Sequence, residues 1–160
     1  AVCTSSNAAK VVRWALDQGK LVFFVPDQHL GRNTAARLGI DQSEVVALRD
    51  PQTLRGGFKL DDTAAQGGLA ALDRARMILW GSFCGVHTVF TLAQAAYWRG
   101  RGYRVLVHPE CPKIVVDVAD GAGEFLVGPV CRRGARYVAW GWWRSAGSGQ
   151  FVEKTLERFL

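Results

Sequence analysis

The residues able to do chemistry concentrate in two short stretches. In Trp80-Gly81-Ser82-Phe83-Cys84-Gly85-Val86-His87 a thiol stands close to glycines, with an imidazole three residues on; in His108-Pro109-Glu110-Cys111-Pro112 an imidazole and a carboxylate flank a proline. A thiolate ligates soft metals or attacks carbon. An imidazole titrates near neutrality, and a carboxylate beside it can move protons. Against this, a lone cysteine is ordinarily a small buried hydrophobe. His87 would ordinarily pack or cap a turn, and His108 would ordinarily be a strand-end histidine with its hydrogen bonds satisfied. Position argues otherwise for Cys84: it follows the apolar run Met77-Ile78-Leu79 and precedes a helical pattern. Open α/β sheets place their reactive groups at such strand ends. A cysteine nucleophile assisted by His87 is a further chemistry that this spacing allows, although no oxyanion arrangement can be read from it.

These groups must be positioned by strands and helices, and the pattern for them is plain over the first forty residues. Ser5-Ser6 followed by Asn7 forms a helix cap, and Ala8, Val11, Val12, Ala15 and Leu16 recur at helical spacing until Gly19. Leu21 to Val25 is short and continuously apolar, as a strand covered on both faces should be. Pro26 stops it, and Asp27-Gln28 leads into a second helix running through Asn33 to Leu38. His29, in this Pro-Asp turn, is expected to support the turn. Val45 to Leu48 reads as a further strand, and the rest of residues 41–76 as a surface excursion with one short helix near Leu69 to Ala75.

From Met77 the pattern resumes: strand 77–80, the Cys84 turn, one helix from Val86 to about Arg99, strand 104–108, and a helix carrying Val115, Val116 and Ala119 with Pro112 in its first turn. Cys3 and Cys84 precede Pro26 and Pro109 by nearly equal separations, and each proline is followed by an acid. The halves therefore read as repeated parallel strand-helix units, an α/β three-layer (αβα) arrangement whose equivalent turns would face one cavity. The expected units are residues 1–76 and 77–120, followed by a poorly specified tail over 121–160. In that tail Arg136 to Trp140 suggests a strand and Gln150 to Leu160 a helix with Phe151, Leu156 and Phe159 inward. Trp140-Gly141-Trp142-Trp143 would expose apolar surface unless covered.

Composition narrows the function classes. A chain of 160 residues, 49% hydrophobic and 21% charged, matches a globular protein with one ordinary core. No apolar run approaches the roughly 20 residues of a membrane span, and no leader pattern opens the chain. The formal charge of +6 is spread over scattered arginines, with groupings at Arg99 to Arg104 and Arg132 to Arg144. A nucleic-acid binder would instead array its cations on one face with aromatics for stacking. Four cysteines, at 3, 84, 111 and 131, make no CxxC pair and read as reduced thiols. Opening on the apolar run Ala1-Val2-Cys3, the chain reads as a fragment.

Four ordered motifs resemble the quinolinate synthase family of NAD biosynthesis: Cys3-Thr4-Ser5-Ser6-Asn7-Ala8, Pro26-Asp27-Gln28-His29-Leu30-Gly31, the stretch from Trp80 to His87, and His108-Pro109-Glu110-Cys111-Pro112. The resemblance implies three similar α/β units about a pseudo-threefold axis, each giving one cysteine to a 4Fe-4S cluster whose fourth iron stays open. It implies a cytoplasmic enzyme that condenses iminoaspartate with dihydroxyacetone phosphate while water and phosphate leave, with no nucleic-acid or membrane partner and with L-aspartate oxidase or dehydrogenase upstream. Cys84 matches a cluster ligand, Ser5 a substrate-holding residue, and His108 and Glu110 the pair that binds substrate and moves protons. Cys3 and Cys111 match no cluster ligand.

Departures are equally clear. The family's first unit and its C-terminal cysteine turn have no counterpart, and after Asp120 the family's Gly-Ser-Thr is replaced by Gly121-Ala122-Gly123-Glu124-Phe125. From about Pro129 the likeness is faint, and Cys131 cannot be placed as the missing ligand. One expected cysteine ligand of three implies that the isolated chain is inactive. The competing expectation is a truncated, non-catalytic α/β domain that binds small anions at helix starts near Ser5 and Pro112.

Overall fold

A computed structural model of the chain describes residues 2–19, 21–49, 64–123, 136–145 and 148–156. They divide into two compact units, Ala1–Phe83 and Cys84–Leu160. Both combine helices with parallel strands, so the fold class is α/β.

In the first unit, helix α1 (Ala8–Gln18) leads to strand β1 (Val22–Phe24), helix α2 (Gln28–Arg37) and strand β2 (Val45–Ala47). Strand β3 (Met77–Leu79) then inserts between them, parallel to both, with Met77 opposite Val22 and Val45. The expected division after residue 76 therefore differs from the structure, where β3 is the central strand of the first sheet. Its composition explains the placement. Met77 and Leu79 are fully buried, and the middle of a parallel sheet covered on both faces provides that burial. One face packs Phe24, Met77, Leu79, Val45 and Ala47 against Ala8, Val12, Leu30 and Ala35 of the helices. On the other, Val46 and Leu48 meet Ala65 and Ala71, with Ile78 and Trp80 alongside. The described part of the expected surface excursion is thus partly core, carrying a 3-10 helix at Leu69–Arg74. Residues 50–63 lie outside the described residues.

The second unit opens with a 3-10 turn at Gly85–Val89, followed by helix α3 (Leu92–Arg99), strand β4 (Tyr103–Val107) and helix α4 (Lys113–Val118). The single helix expected from Val86 to Arg99 is broken at Phe90-Thr91, both extended. Thr91 is the cause. Its side chain accepts from the Gln94 N–H while the Gln94 side chain accepts from the Thr91 N–H, a reciprocal capping box that starts a new helix.

Strand β4 pairs in parallel with β5 (Gly121–Ala122) and β6 (Arg136–Ser145), and β6 pairs antiparallel with β7 (Ser148–Leu156). The helix expected over 150–160 is corrected to a strand up to Leu156. An edge strand such as β6 presents unpaired backbone groups along its length, and β7 satisfies them from Tyr137 opposite Leu156 to Ser145 opposite Ser148. The tryptophan run Trp140-Gly141-Trp142-Trp143 lies on β6. Phe159 and Cys131 lie outside the described residues.

Candidate functional site

Two backbone anchors shape the turn leaving β3. The Trp80 N–H donates to the Phe24 carbonyl, and the Gln28 N–H donates to the Ser82 carbonyl, both at 2.9 Å. The Gln28 side-chain amide donates to the Gly81 carbonyl at 2.8 Å. Gly81 has no room for a side chain, because a Cβ there would collide with the Leu48 carbonyl oxygen and the Arg49 backbone. At the head of α2, the buried Asp27 caps the helix by accepting the Leu30 N–H at 2.7 Å. His29, half-buried on the first turn of α2, sets its ring 5.7 Å from that of Phe83. Burial there lowers its pKa, opposed by the Asp27 charge.

In the second unit, the 3-10 turn after Cys84 and the loop after β4 bring a thiol, two imidazoles and a carboxylate together. Ligand atoms of Cys84, His87 and Glu110 all lie within 4.8 Å of one another. His87 is 2% exposed. Its Nε2 stands 3.3 Å from Oε2 of Glu110, and its ring lies nearly parallel to that of His108 with centroids 4.4 Å apart. The Glu110 backbone N–H donates to Nδ1 of His108 at 3.3 Å. That hydrogen bond requires a lone pair on Nδ1, so neutral His108 carries its proton on Nε2. His108 Nδ1 and Glu110 Oε2 are 3.9 Å apart, a charge contact available only to protonated His108. The N–H bond is the shorter, and we take it as the resting arrangement. His87 Nδ1 is buried and has no hydrogen-bond partner among the described residues.

Glu110 is held below the usual carboxylate range, first by its hydrogen bond from His87, against the opposing effect of burial, with the charges of His108 and His87 assisting. The pair can hold, orient and exchange protons beside an exposed thiol. Packing accounts for the burial of His87, as expected of it, but not for its contact with Glu110. Its signal in the sequence was its position three residues beyond Cys84 on a turn.

Ser5 stands in the first unit, half-buried in the loop before α1. Asn7 organises that loop. Although it occupies the N-cap position, its side chain makes no cap bond, accepting instead from the Thr4 N–H at 2.7 Å and donating to the Val2 carbonyl at 3.0 Å.

The quinolinate synthetase A protein family matches residues 1–125. The chain belongs to this family. Proteins named quinolinate synthase that it resembles include that of Rhodopirellula baltica, 43% identical over 125 residues, which are 77% of this chain and 30% of the relative. That of Geobacillus kaustophilus is 46% identical over 128 residues, 78% of this chain and 31% of the relative. That of Streptomyces coelicolor is 44% identical over 131 residues, 79% of this chain and 31% of the relative. The chain thus spans a little under a third of the length of these quinolinate synthases.

The iron-sulfur cluster that the quinolinate synthase resemblance implies draws its protein ligands from thiolates. Cys84 supplies the thiol of the group described above, whereas Cys111 is buried in the core of the second unit and Cys3 belongs to the first. One thiolate beside an imidazole and a carboxylate is not the ligand set of a cubane, so these residues by themselves do not fit the 4Fe-4S group. Among the described residues, no helix is long and apolar enough to cross a membrane.

Proposed function

We propose that this chain is the substrate-handling segment of a cytoplasmic quinolinate synthase, an enzyme of NAD biosynthesis that joins iminoaspartate to dihydroxyacetone phosphate with loss of water and phosphate. The single observation that carries the reading is the convergence of Cys84, His87 and Glu110, with His108 stacked on His87. Membership of the family supports it independently. In the whole enzyme Cys84 would be one of three thiolates holding a 4Fe-4S cluster, the other two coming from parts of the relatives that this chain does not match. The whole protein is part of a three-unit α/β architecture, and an L-aspartate oxidase or dehydrogenase supplies its imine.

The chain's own residues have distinct tasks in this reading. His108, with Nδ1 occupied by the Glu110 N–H, offers Nε2–H to a substrate oxygen. Glu110, kept ionised by His87, is a weak base by itself. Held in place by the His87 N–H and itself only half-buried, it is the member of the pair that a substrate proton can reach, and it acts as the proton acceptor. Ser5 holds a substrate polar group from the loop before α1.

The test is a chimera in which residues 1–123 replace the matching segment of the Geobacillus kaustophilus relative. A folded chimera that loads its cluster should form quinolinate, and Glu110→Gln in it should lower kcat by about 10²-fold or more. A folded, cluster-loaded chimera with no activity defeats the reading.

A second reading is favoured by the single thiolate of the group: the chain alone holds no cluster and acts only as a small-anion binder. Reconstitution with iron and sulfide would then give no stoichiometric cluster absorbance. Calorimetry with phosphorylated trioses or dicarboxylates should show binding that the double substitution His108→Ala and Glu110→Ala abolishes.

A further inference from the structure

The run Leu21 to Val25 has the composition of a strand covered on both faces, yet only one of its faces is covered. Phe24 is buried against the helices of the first unit. On the opposite face Leu21, Phe23 and Val25 are 49%, 53% and 54% exposed. The residues that close this face over β2 and β3, Ala65 and Ala71 with Leu72 and Ala75, form a cluster with no member from β1. The Phe23 ring stands edge-on to that of Trp80, centroids 6.2 Å apart.

The same three residues carry the open side of the backbone. β1 is an edge strand of the first sheet. The Val22 N–H donates to the Arg76 carbonyl and the Phe24 carbonyl accepts the Trp80 N–H, so Val22 and Phe24 turn their backbone groups toward β3. Backbone direction alternates along a strand, which leaves the N–H and C=O groups of Leu21, Phe23 and Val25 facing outward. No strand pairs with them there among the described residues. Edge strands are ordinarily protected by charge, proline or a covering element. Residues 21–25 contain neither a charge nor a proline.

We propose that this edge docks a second copy of the chain, β1 pairing antiparallel with the partner's β1 about a twofold axis at Phe23. Such an interface must match a surface to itself, and this one does. With Phe23 opposite the partner's Phe23, Leu21 falls opposite the partner's Val25, and the reverse. These pairs align the outward backbone groups of both strands and close the edge with about six hydrogen bonds. Opposed side chains share a face, so the two exposed apolar rows become one, with an aromatic pair at its centre.

Area sets the strength of the contact. Three half-exposed side chains and the strand edge amount to about 300–400 Å² per copy, and so about 600–800 Å² in all, below the roughly 1,200 Å² of a stable interface. The dimer is therefore weak and depends on concentration. It rests on β1 alone and not on the quinolinate synthase reading.

The test is sedimentation equilibrium of the whole chain, kept reduced, from about 10 µM to 1 mM, the range that suits so small an interface. The mass should rise from 17.5 kDa toward twice that value and stop there, because pairing uses up the edge. Phe23→Lys and Phe23→Glu each set like charges against one another at the axis, and each alone should weaken association by about 10-fold or more. An equimolar mixture of the two variants should associate again, since the charges across the axis are then opposite. Loss of folding could not produce that recovery. Ile114→Lys, at an equally exposed apolar position of the second unit, should change nothing. A mass of 17.5 kDa at every concentration, growth past the dimer, undiminished association of Phe23→Lys, or a mixture that stays monomeric overturns the proposal. None of these results bears on the chimera experiment, so the two readings fail separately.

Discussion

The His87 imidazole lies flat against that of His108, centroids 4.4 Å apart, while its Nε2 faces the Glu110 carboxylate at 3.3 Å. Substituting His87→Phe keeps the ring and the stack but withdraws the N–H from a half-buried carboxylate. We expect a loss of about 1–3 kcal/mol in denaturant unfolding at neutral pH. Glu110→Gln and the double substitution close a thermodynamic cycle, in which a coupling of about 1 kcal/mol or more is expected. Additivity of the two single substitutions would show that the contact carries no stability.

Gly81 is where the turn leaving β3 touches the backbone of Leu48 and Arg49. Gly81→Ala should destabilise the first unit by about 1–3 kcal/mol, since a rigid backbone must move to admit the methyl group. Gly85→Ala is the control: an added Cβ there meets nothing within 4 Å, and its cost should stay within about 0.5 kcal/mol. Equal unfolding midpoints for the two would refute the packing argument.

Thr91 interrupts what would otherwise be a continuous helix. Thr91→Ala removes the capping box with Gln94 and should cost about 1 kcal/mol. Amide exchange should rise first in the opening turn of α3, at Gln94 and Ala95. Unchanged protection at both would mean that packing alone starts this helix.

Asp120 joins α3 to β4. Its carboxylate accepts the Val105 N–H at 2.9 Å and the Arg99 guanidinium at 3.1 Å. Burial opposes ionisation, but these two contacts, with Arg104 nearby, outweigh it and lower its pKa from 3.8. A carboxyl whose folded pKa is depressed contributes stability that is present above its unfolded value and is lost as pH falls through the folded one. Stability measured downward from pH 5 should therefore decline more steeply in the wild type than in Asp120→Asn. At pH 7 that substitution should cost about 1 kcal/mol, because one N–H bond survives to the amide oxygen and the ion pair is half-exposed. Parallel acid slopes would remove Asp120 from the account.

The sequence alone determined the α/β class, because short apolar runs and helical periodicity in alternation admit little else, and it singled out Cys84, His108 and Glu110 through motifs of fixed spacing. The Thr91-x-x-Gln94 capping signal was also there to be read, beneath a helical periodicity that ran across it. Tertiary structure decided what depends on partners distant along the chain. The apolar run Met77-Ile78-Leu79 suits any buried strand, and only hydrogen bonding to both β1 and β2 made it the centre of the first sheet. The Gln150 to Leu156 stretch became a strand because the open edge of β6 offered a ladder that local propensity does not contain. His87 looks like an ordinary packing residue from its neighbours in sequence, and its contact with Glu110 exists only because a turn and a strand end 23 residues apart meet in space.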